Sequence, residues 1–214
     1  GLNQNDRIDL IWLTSEAERA TFSDLTIRAT EAIIADEQQS IDSFIWLRSD
    51  WDELQRSKDG ITLDTSGLSP LMRAAAKIIP ATSRGQSDAS WLNMTKHPQL
   101  STASAFGVII ANNTAPTYAD FISAGRLYQR ISLHATLGEM AMQPLNQIPE
   151  RIDRETSLGL RSLLATELAT LLGREDAVAV MPFRIGFPTT GIPVSPRRPA
   201  TEVISGSVPN SFQR

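Results

Sequence analysis

The sequence predicts a chain that combines α-helices with β-strands. Ile8–Leu13 and Phe106–Ala111 are short apolar runs with the length of buried strands. A long segment that begins after Thr117 repeats apolar residues at helical spacing. A third apolar run, Ala177–Ile185, again has the length of a strand. With 214 residues, the chain can bury a core in one domain.

Composition excludes several classes of function. Apolar residues make up 41% and charged residues 21%, and the net charge of −4 gives no reason to expect nucleic acid as a partner. The absence of cysteine excludes disulfides, thiolate metal sites and cysteine nucleophiles, and two histidines are too few for a histidine-rich metal site. No apolar run approaches the roughly 20 residues that span a bilayer. We therefore expect no membrane partner, no metal and a cytoplasmic, reducing compartment.

Helix signals follow the first strand. Ser15, with Glu18 three residues later, predicts a capping box that opens a helix. The acidic pair Asp36 and Glu37 interrupts the apolar pattern of that helix. The next predicted elements are an amphipathic segment around Ile41–Trp46, turns at Lys58–Gly60 and Ser66–Pro70, and a short helix over Leu71–Ile79.

Residues 81–105 are predicted to form a loop. Ser, Thr, Ala, Asn and Gln dominate this segment and no hydrophobic periodicity lasts. A loop of roughly this length inside a compact domain is usually a lid, a binding loop or a disordered segment. Trp91, Leu92 and Met94 add apolar bulk, so we expect a lid or mobile loop that docks through these residues.

The second half of the chain alternates helices with strands. Thr117 and Asp120 predict the cap of a long helix, on which Leu127, Ile131, His134 and Gly138 share one face and Gly138 forms the C-terminal cap. A second helix is predicted over Arg154–Leu172. The strand Ala177–Ile185 contains Pro182, which cannot donate a ladder hydrogen bond and should lie at a bulge or an edge.

The most cationic short motif is Ser195-Pro196-Arg197-Arg198-Pro199. Prolines stiffen the backbone around two guanidinium groups, which form bidentate hydrogen bonds to phosphate, and Ser195 adds a hydroxyl donor. The alternative interpretation is a solvated basic turn paired with nearby carboxylates.

A second candidate is the segment Pro144-Leu145-Asn146-Gln147, after the long helix. A loop that leaves a helix presents backbone groups, and the amides of Asn146 and Gln147 each carry a donor and an acceptor. Such groups suit the polar edge of a heterocycle, although an ordinary connecting loop is the alternative. No set of catalytic residues can be identified, since His134 lacks a partner carboxylate at helical spacing.

Several motifs, in this order, resemble the nitroreductase superfamily and its Acg-like branch, in which one long chain mimics a dimer. They are Asp120, Ala124-Gly125, Leu127, Arg130, Leu133, Ala135-Thr136, Pro144-Leu145-Asn146-Gln147, Glu150, Phe183-Arg184-Ile185-Gly186 and Ser195-Pro196-Arg197-Arg198-Pro199. The resemblance is strongest in the second half of the chain. The N-terminal flavin-contact motif of the family is absent, so we expect an upstream lobe to be missing from this chain.

The resemblance implies an α+β fold with a central, mainly antiparallel sheet wrapped by helices, here as a single lobe over residues 1–214. It implies that FMN is the cofactor, with Arg197 and Arg198 on its phosphate and the Pro144–Gln147 segment near its ring. It also implies ping-pong transfer of reducing equivalents from NAD(P)H to a nitroaromatic or quinone-like acceptor, in a homodimer or in a pairing with the missing lobe. The alternative is a flavin-binding or structural lobe without turnover, whose site is covered by a lid or incomplete.

Overall fold

A computed structural model describes residues 6–48, 51–62, 71, 83–189, 191 and 197–204. Contacts along the chain divide it into two compact units, one formed by residues 1–37 and 89–189 and the other by residues 38–88 and 190–214. Each unit is described separately. The single lobe expected over residues 1–214 stays a prediction.

The described residues contain strands in both units. In chain order they are β1 (Ile8–Leu13), β2 (Leu47–Arg48), β3 (Ile61–Thr62), β4 (Ala105–Ala111), β5 (Ala141–Pro144) and β6 (Val178–Gly186). The first unit holds a four-stranded antiparallel sheet in the order β1-β4-β6-β5. The helices are α1 (Glu16–Ala35), α2 (Glu37–Phe44), α3 (Trp51–Ser57), α4 (Arg84–Met94), a π-helix (Thr95–Leu100), α5 (Tyr118–Leu137), α6 (Gln147–Ser157), α7 (Leu163–Leu172) and α8 (Ala200–Val203).

The antiparallel sheet is covered on both faces, and β4 shows why. Its side chains alternate, so that Phe106 and Val108 point into one apolar cluster while Ile109 points into the other. The first cluster joins the sheet to α1, α6 and α7, and the second joins it to α5. This arrangement confirms the predicted α+β class with an antiparallel sheet between helices.

The predicted capping box at Ser15 and the predicted cap at Thr117 are both present, and the second is also a capping box. The Ser15 hydroxyl accepts a hydrogen bond from the backbone N–H of Glu18, and the Glu18 carboxylate accepts one from the N–H of Ser15. Thr117 and Asp120 form the same reciprocal pair at the start of α5. Each box satisfies N–H groups that have no partner inside the helix, which fixes where these two long helices begin.

The buried face of α5 differs from the predicted face at its C-terminal end. Ala124, Leu127, Ile131 and Ala135 are buried, whereas His134 is exposed. A spacing of four residues after Ile131 selects Ala135, since 3.6 residues per turn allows either a three- or a four-residue step. The predicted cap at Gly138 is confirmed.

The helix predicted over Arg154–Leu172 is instead two helices. The first, α6, begins at Gln147 and ends at Ser157, and the second, α7, begins at Leu163 after the N-cap Ser162. Between them Gly159 has a φ of +69°, a left-handed conformation that favours glycine and ends the first helix. The apolar pattern continues through this break, and for that reason the sequence predicted one helix instead of two.

The segment predicted to be a loop over residues 81–105 contains helices. Arg84–Met94 forms α4, Thr95–Leu100 forms the π-helix, and Ala105 already belongs to β4. Low hydrophobicity hid these helices, because few of their side chains are buried. The lid function of this segment stays a prediction.

The strand β6 is an inner strand, as predicted, and tolerates Pro182 for an identifiable reason. The pairing of β6 with β4 shifts by one residue between Met181 and Ala179, a bulge close to Pro182. On the other side, the Pro182 carbonyl accepts a hydrogen bond from the backbone N–H of Leu145 at 2.9 Å. The proline therefore keeps its acceptor in the sheet and loses only its donor.

The second unit contains the small parallel sheet β2–β3 and the predicted turn that leads into β3. Lys58 and Gly60 have φ angles of +50° and +78°, so both adopt the left-handed conformation. A β-carbon on Gly60 would lie 2.4 Å from the Trp46 carbonyl oxygen, which makes glycine necessary there. The predicted turn Ser66–Pro70 and the predicted helix Leu71–Ile79, apart from Leu71, lie outside the described residues.

Candidate functional site

The predicted ring-binding segment, Pro144–Gln147, is the junction of a strand and a helix. Pro144 is the last residue of β5, Leu145 links the two elements, Asn146 is the N-cap of α6 and Gln147 is its first residue. The prediction of a loop leaving the long helix was therefore wrong. Since β5 pairs with β6 and α6 packs beside the sheet, this junction is held at both ends.

Within this junction the four side chains have different environments. The side chain of Leu145 is buried in the apolar cluster, so only its backbone could contact a ligand. Its backbone N–H already donates a hydrogen bond to the carbonyl oxygen of Pro182. Pro144 and Asn146 are exposed. Gln147 is 6% exposed, and its side-chain oxygen Oε1 has no hydrogen-bond partner among the described residues. An unpartnered buried acceptor is costly, so this position favours a ligand or a water that donates a hydrogen bond.

The N-terminus of α6 is open as well. The Asn146 side chain makes no capping hydrogen bond, so the first N–H groups of the helix lack the side-chain acceptor that α1 and α5 have. Aligned peptide dipoles give such an end a partial positive charge. The junction thus offers backbone donors beside a buried acceptor, a combination that can bind the polar edge of a ring.

Arg184 fixes the strand next to this junction. It lies in β6, and its Nε donates a 2.7 Å hydrogen bond to Gln143 Oε1 in β5. Its Nη1 donates to the carbonyl oxygens of Pro98 and Gln99 at 2.8 and 3.0 Å and to the Thr102 hydroxyl at 3.2 Å. Burial lowers the pKa of Arg184 from its ordinary value. One guanidinium therefore ties the end of the π-helix to the strand that leads into Pro144.

Two of the three predicted phosphate ligands lie in the described part of the second unit. Arg197 and Arg198 are exposed just before Pro199, the N-cap of α8, and Ser195 lies outside the described residues. The Nη2 atom of Arg198 lies 3.6 Å from Asp59 Oδ2, an ion pair longer than a hydrogen bond. Exposed guanidinium groups are accessible to an anion.

Asp59 is itself held by a third arginine. Arg48 Nε and Nη2 lie 3.1 and 3.0 Å from Asp59 Oδ1, and Arg48 is largely buried. The guanidinium of Arg48 also lies over the ring of Trp46, 5.9 Å from its centroid. Asp59 therefore directs one oxygen to a fixed arginine and the other to Arg198.

The structure places the predicted site residues in two groups. Pro144–Gln147 are contiguous in the first unit, whereas Arg197 and Arg198 belong to the second. The contacts of Arg184 and Asp59 were not predicted from the sequence. A signal for Arg184 was available, because a charge within an apolar strand must find buried partners. The ion pair between Asp59 and Arg198 joins positions far apart in the sequence, and no pattern in the sequence indicates it.

The described residues contain no group of three or more His, Asp or Glu side chains that could hold a metal ion. Both histidines lie in that part of the chain, with His97 in the π-helix and His134 exposed on α5. No helix among the described residues is long and apolar enough to cross a membrane.

Comparison with solved structures identifies the fold. The chain aligns with the FMN-dependent nitroreductase NfnB from Mycobacterium smegmatis, solved with NADPH, at a TM-score of 0.53 and 13% identity over 97% of this chain and 83% of that one. The FMN- and NADPH-dependent nitroreductase NfnB from Sphigopyxis sp. strain HMH aligns at a TM-score of 0.52 and 13% identity over 94% of this chain and 80% of that one. The chain has the nitroreductase fold. No protein-family model and no curated protein sequence matches it.

Proposed function

We propose that this chain is an FMN-dependent oxidoreductase of the nitroreductase superfamily, which uses NAD(P)H to reduce a nitroaromatic or quinone-like acceptor. The observation that carries the proposal is the fold, since two nitroreductases that depend on FMN align with 97% and 94% of the chain. The order and spacing of the motifs from Asp120 to Pro199 resemble the Acg-like branch, to which we assign the chain as part of this proposal. The absence of cysteine fits a cytoplasmic location.

The two predicted segments, one in each unit, carry groups whose chemistry suits FMN. The exposed guanidinium groups of Arg197 and Arg198 can bind the phosphate, together with the predicted donor Ser195. The open N-terminus of α6 and the buried acceptor of Gln147 can bind the edge of the ring, which carries both acceptors and an N–H donor.

When bound, FMN supplies the redox chemistry, since it accepts a hydride from NAD(P)H and passes reducing equivalents to the acceptor in a ping-pong cycle. The chain provides binding and orientation. Leu145 keeps the junction anchored in the core, and Arg184 keeps β5 in place through Gln143. Because the cofactor carries the chemistry, no acid–base pair is required of the protein.

The visible absorption spectrum of the purified chain tests the proposal. Flavin bands that survive desalting after incubation with FMN are expected, followed by NADPH oxidation that depends on menadione or a nitrofuran. A chain that stays colourless at saturating FMN contradicts the proposal.

The alternative is a lobe that binds flavin, or only supports the fold, without turnover. One observation favours this alternative. The end of the π-helix, which belongs to the predicted lid, is fixed to the sheet next to the junction, and a lid fixed there would keep NAD(P)H from the flavin. Flavin that is bound tightly but is not reduced by NADPH within hours, while dithionite reduces it at once, would select this alternative.

We also propose that the chain acts as a homodimer, because α5 exposes an unusual apolar face. Tyr118, Ile122, Leu133 and Leu137 are 89%, 64%, 58% and 82% exposed, on the side of the helix opposite to its buried residues. The exposed residues Arg126 and Gln129 lie between the pair Tyr118 and Ile122 and the pair Leu133 and Leu137 on this side of the helix. Two exposed apolar patches, one at each end of the same helix face, are suited to contact with a partner.

The order of these residues favours a second copy as the partner. Their positions are symmetric about the middle of α5, so an antiparallel copy would set Tyr118 against Leu137 and Ile122 against Leu133. An interface with two-fold symmetry requires such a self-complementary surface. A stable interface buries roughly 800 Å² per partner, and four exposed side chains of this size supply a large share of that area.

A further inference from the structure

We propose that Asp59 is an internal competitor of the ligand phosphate, because its carboxylate forms an ion pair with Arg198, one of the two arginines proposed to bind that phosphate. This inference rests on the proposed function, since it concerns the same phosphate-binding arginines. It adds Asp59 as a residue that controls how strongly these arginines bind a phosphate, so the competitor belongs to the chain itself.

The first step is that Asp59 is placed rigidly. The turn Lys58–Gly60 has two left-handed residues, and Gly60 has no room for a β-carbon beside the Trp46 carbonyl. Arg48 then holds Asp59 Oδ1 through two nitrogen atoms at 3.0 and 3.1 Å. The side chains of Arg48 and Asp59 are only 13% and 23% exposed, so solvent screens this pair incompletely.

The second step is that the remaining oxygen of Asp59 faces Arg198. The 3.6 Å separation between Arg198 Nη2 and Asp59 Oδ2 is an ion pair without hydrogen-bond geometry. The Arg198 side chain is 44% exposed, so an incoming anion can reach it. A contact of this kind is weak and can be exchanged for the stronger bidentate contact that a phosphate makes.

The third step concerns the sign of the effect. A phosphate bound to Arg198 lies close to the Asp59 carboxylate, and two like charges at this range repel. Replacing Asp59 with asparagine removes that repulsion and frees Arg198. It also leaves Glu53 as the remaining carboxylate beside Arg48, so the positive charge of Arg48 is less neutralised. All three consequences strengthen the binding of a phosphate.

The test compares the affinities of Asp59→Asn and the wild-type chain for FMN and for riboflavin, which has the same ring but no phosphate. Removal of one negative charge beside the phosphate is expected to tighten FMN binding about three- to tenfold. Riboflavin affinity should not change. Both affinities are measured by quenching of flavin fluorescence.

Two controls accompany the test. Glu53→Gln removes a carboxylate that lies 3.6 Å from Arg48, and it should tighten FMN binding less than Asp59→Asn. Thermal unfolding of each variant reports whether the turn is intact. An unfolded Asp59→Asn chain would be replaced by Asp59→Ser, with the same expected direction.

Each outcome decides the proposal. Tighter binding of FMN alone supports the competition. Unchanged or weaker FMN binding overturns it and makes Asp59 a residue that positions Arg198 for the ligand. Equal tightening of FMN and riboflavin also overturns it, because the effect would then not involve the phosphate. If neither chain binds FMN, the proposed function fails and the competition fails with it. If the wild-type chain binds FMN, the proposed function stands whatever the result for Asp59→Asn, and the comparison of the two chains then tests the competition alone.

Discussion

Gly107 in β4 lies directly against the ring of Phe183 in β6, and no side chain fits between them. A β-carbon on Gly107 would fall 2.2 Å from Cζ of Phe183 and within 2.8 Å of both Cε atoms. Trp12 and Tyr128 also contact this ring edge to face, with centroid distances of 5.5 and 5.6 Å. The aromatic ring is therefore fixed on several sides and cannot move away at low cost.

We predict that Gly107→Ala lowers the free energy of unfolding by about 1–3 kcal/mol through overpacking. Urea unfolding measures the change. Gly125→Ala is a matched control, because a β-carbon there meets nothing within 4 Å and the residue lies in a helix. That variant should be stabilised by about 0.5–1 kcal/mol. Combining Gly107→Ala with Phe183→Leu should cost less than the sum of the two single changes, and strict additivity would contradict the contact.

The phosphate assignment predicts that Arg197→Ala with Arg198→Ala abolishes the retention of FMN on a desalting column. Two charge-assisted contacts are lost at once, while riboflavin binding should persist because it needs no phosphate site. Arg161→Ala, at an exposed position between α6 and α7, is the control for the loss of one positive charge. Wild-type FMN occupancy in the double variant would exclude these arginines from the phosphate site.

The pair Arg7–Asp120 predicts a loss of stability in acid. Hydrogen bonds from Thr117 and then from Arg7, with both Arg7 contacts at 2.8 Å, lower the pKa of Asp120 from 3.8 to about 2. A carboxylate whose pKa is lower in the folded state stabilises the fold above its unfolded pKa, and the contribution disappears as the proton binds. The wild-type chain should therefore lose this contribution as the pH falls from 3.8 to about 2.

Thermal melts of Asp120→Asn between pH 7 and pH 2 test this expectation. The variant should be less stable than the wild type at pH 7, and the difference should vanish near pH 2. Asp42→Asn, at an exposed position on α2, should follow the wild type throughout. A constant difference between Asp120→Asn and the wild type at all pH values would show that the lost charge is not the cause.

The apolar face of α5 predicts a dimer that depends on Leu133 and Leu137. Replacing both with lysine puts charges into the proposed interface and should shift the chain from dimer to monomer at micromolar concentration. Light scattering after size exclusion measures the mass. Leu160→Lys is the control, because Leu160 is 55% exposed but lies outside α5. A wild-type chain that is monomeric at tens of micromolar would remove the basis for this interface.

The sequence predicted elements whose signals are local. The caps Ser15 and Thr117 and the strand Ile8–Leu13 follow from residues within a few positions of one another, and they are confirmed. The antiparallel sheet itself was expected only through the resemblance to the nitroreductases. The helix Arg84–Met94 was missed because its few buried side chains leave no apolar periodicity.

The candidate site was harder to predict than the fold. The segment Pro144–Gln147 was assigned to a loop, which was wrong, because its strand has four residues and takes its register from β6. Its role in binding a ring stays a prediction. The contact between Asp59 and Arg198 joins residues far apart in sequence. No periodicity and no motif links these two positions, so a single sequence carries no signal for their pairing.

The hydrogen bonds of Arg184 determine where the segment before β4 can bend. If Pro98, Gln99 and Thr102 moved away from the sheet, they would break three contacts with a guanidinium that is already partly desolvated. The chain from Pro98 to Thr102 is therefore held against the sheet. A rearrangement of the residues before it that keeps these contacts would leave the strand that leads into Pro144 in place.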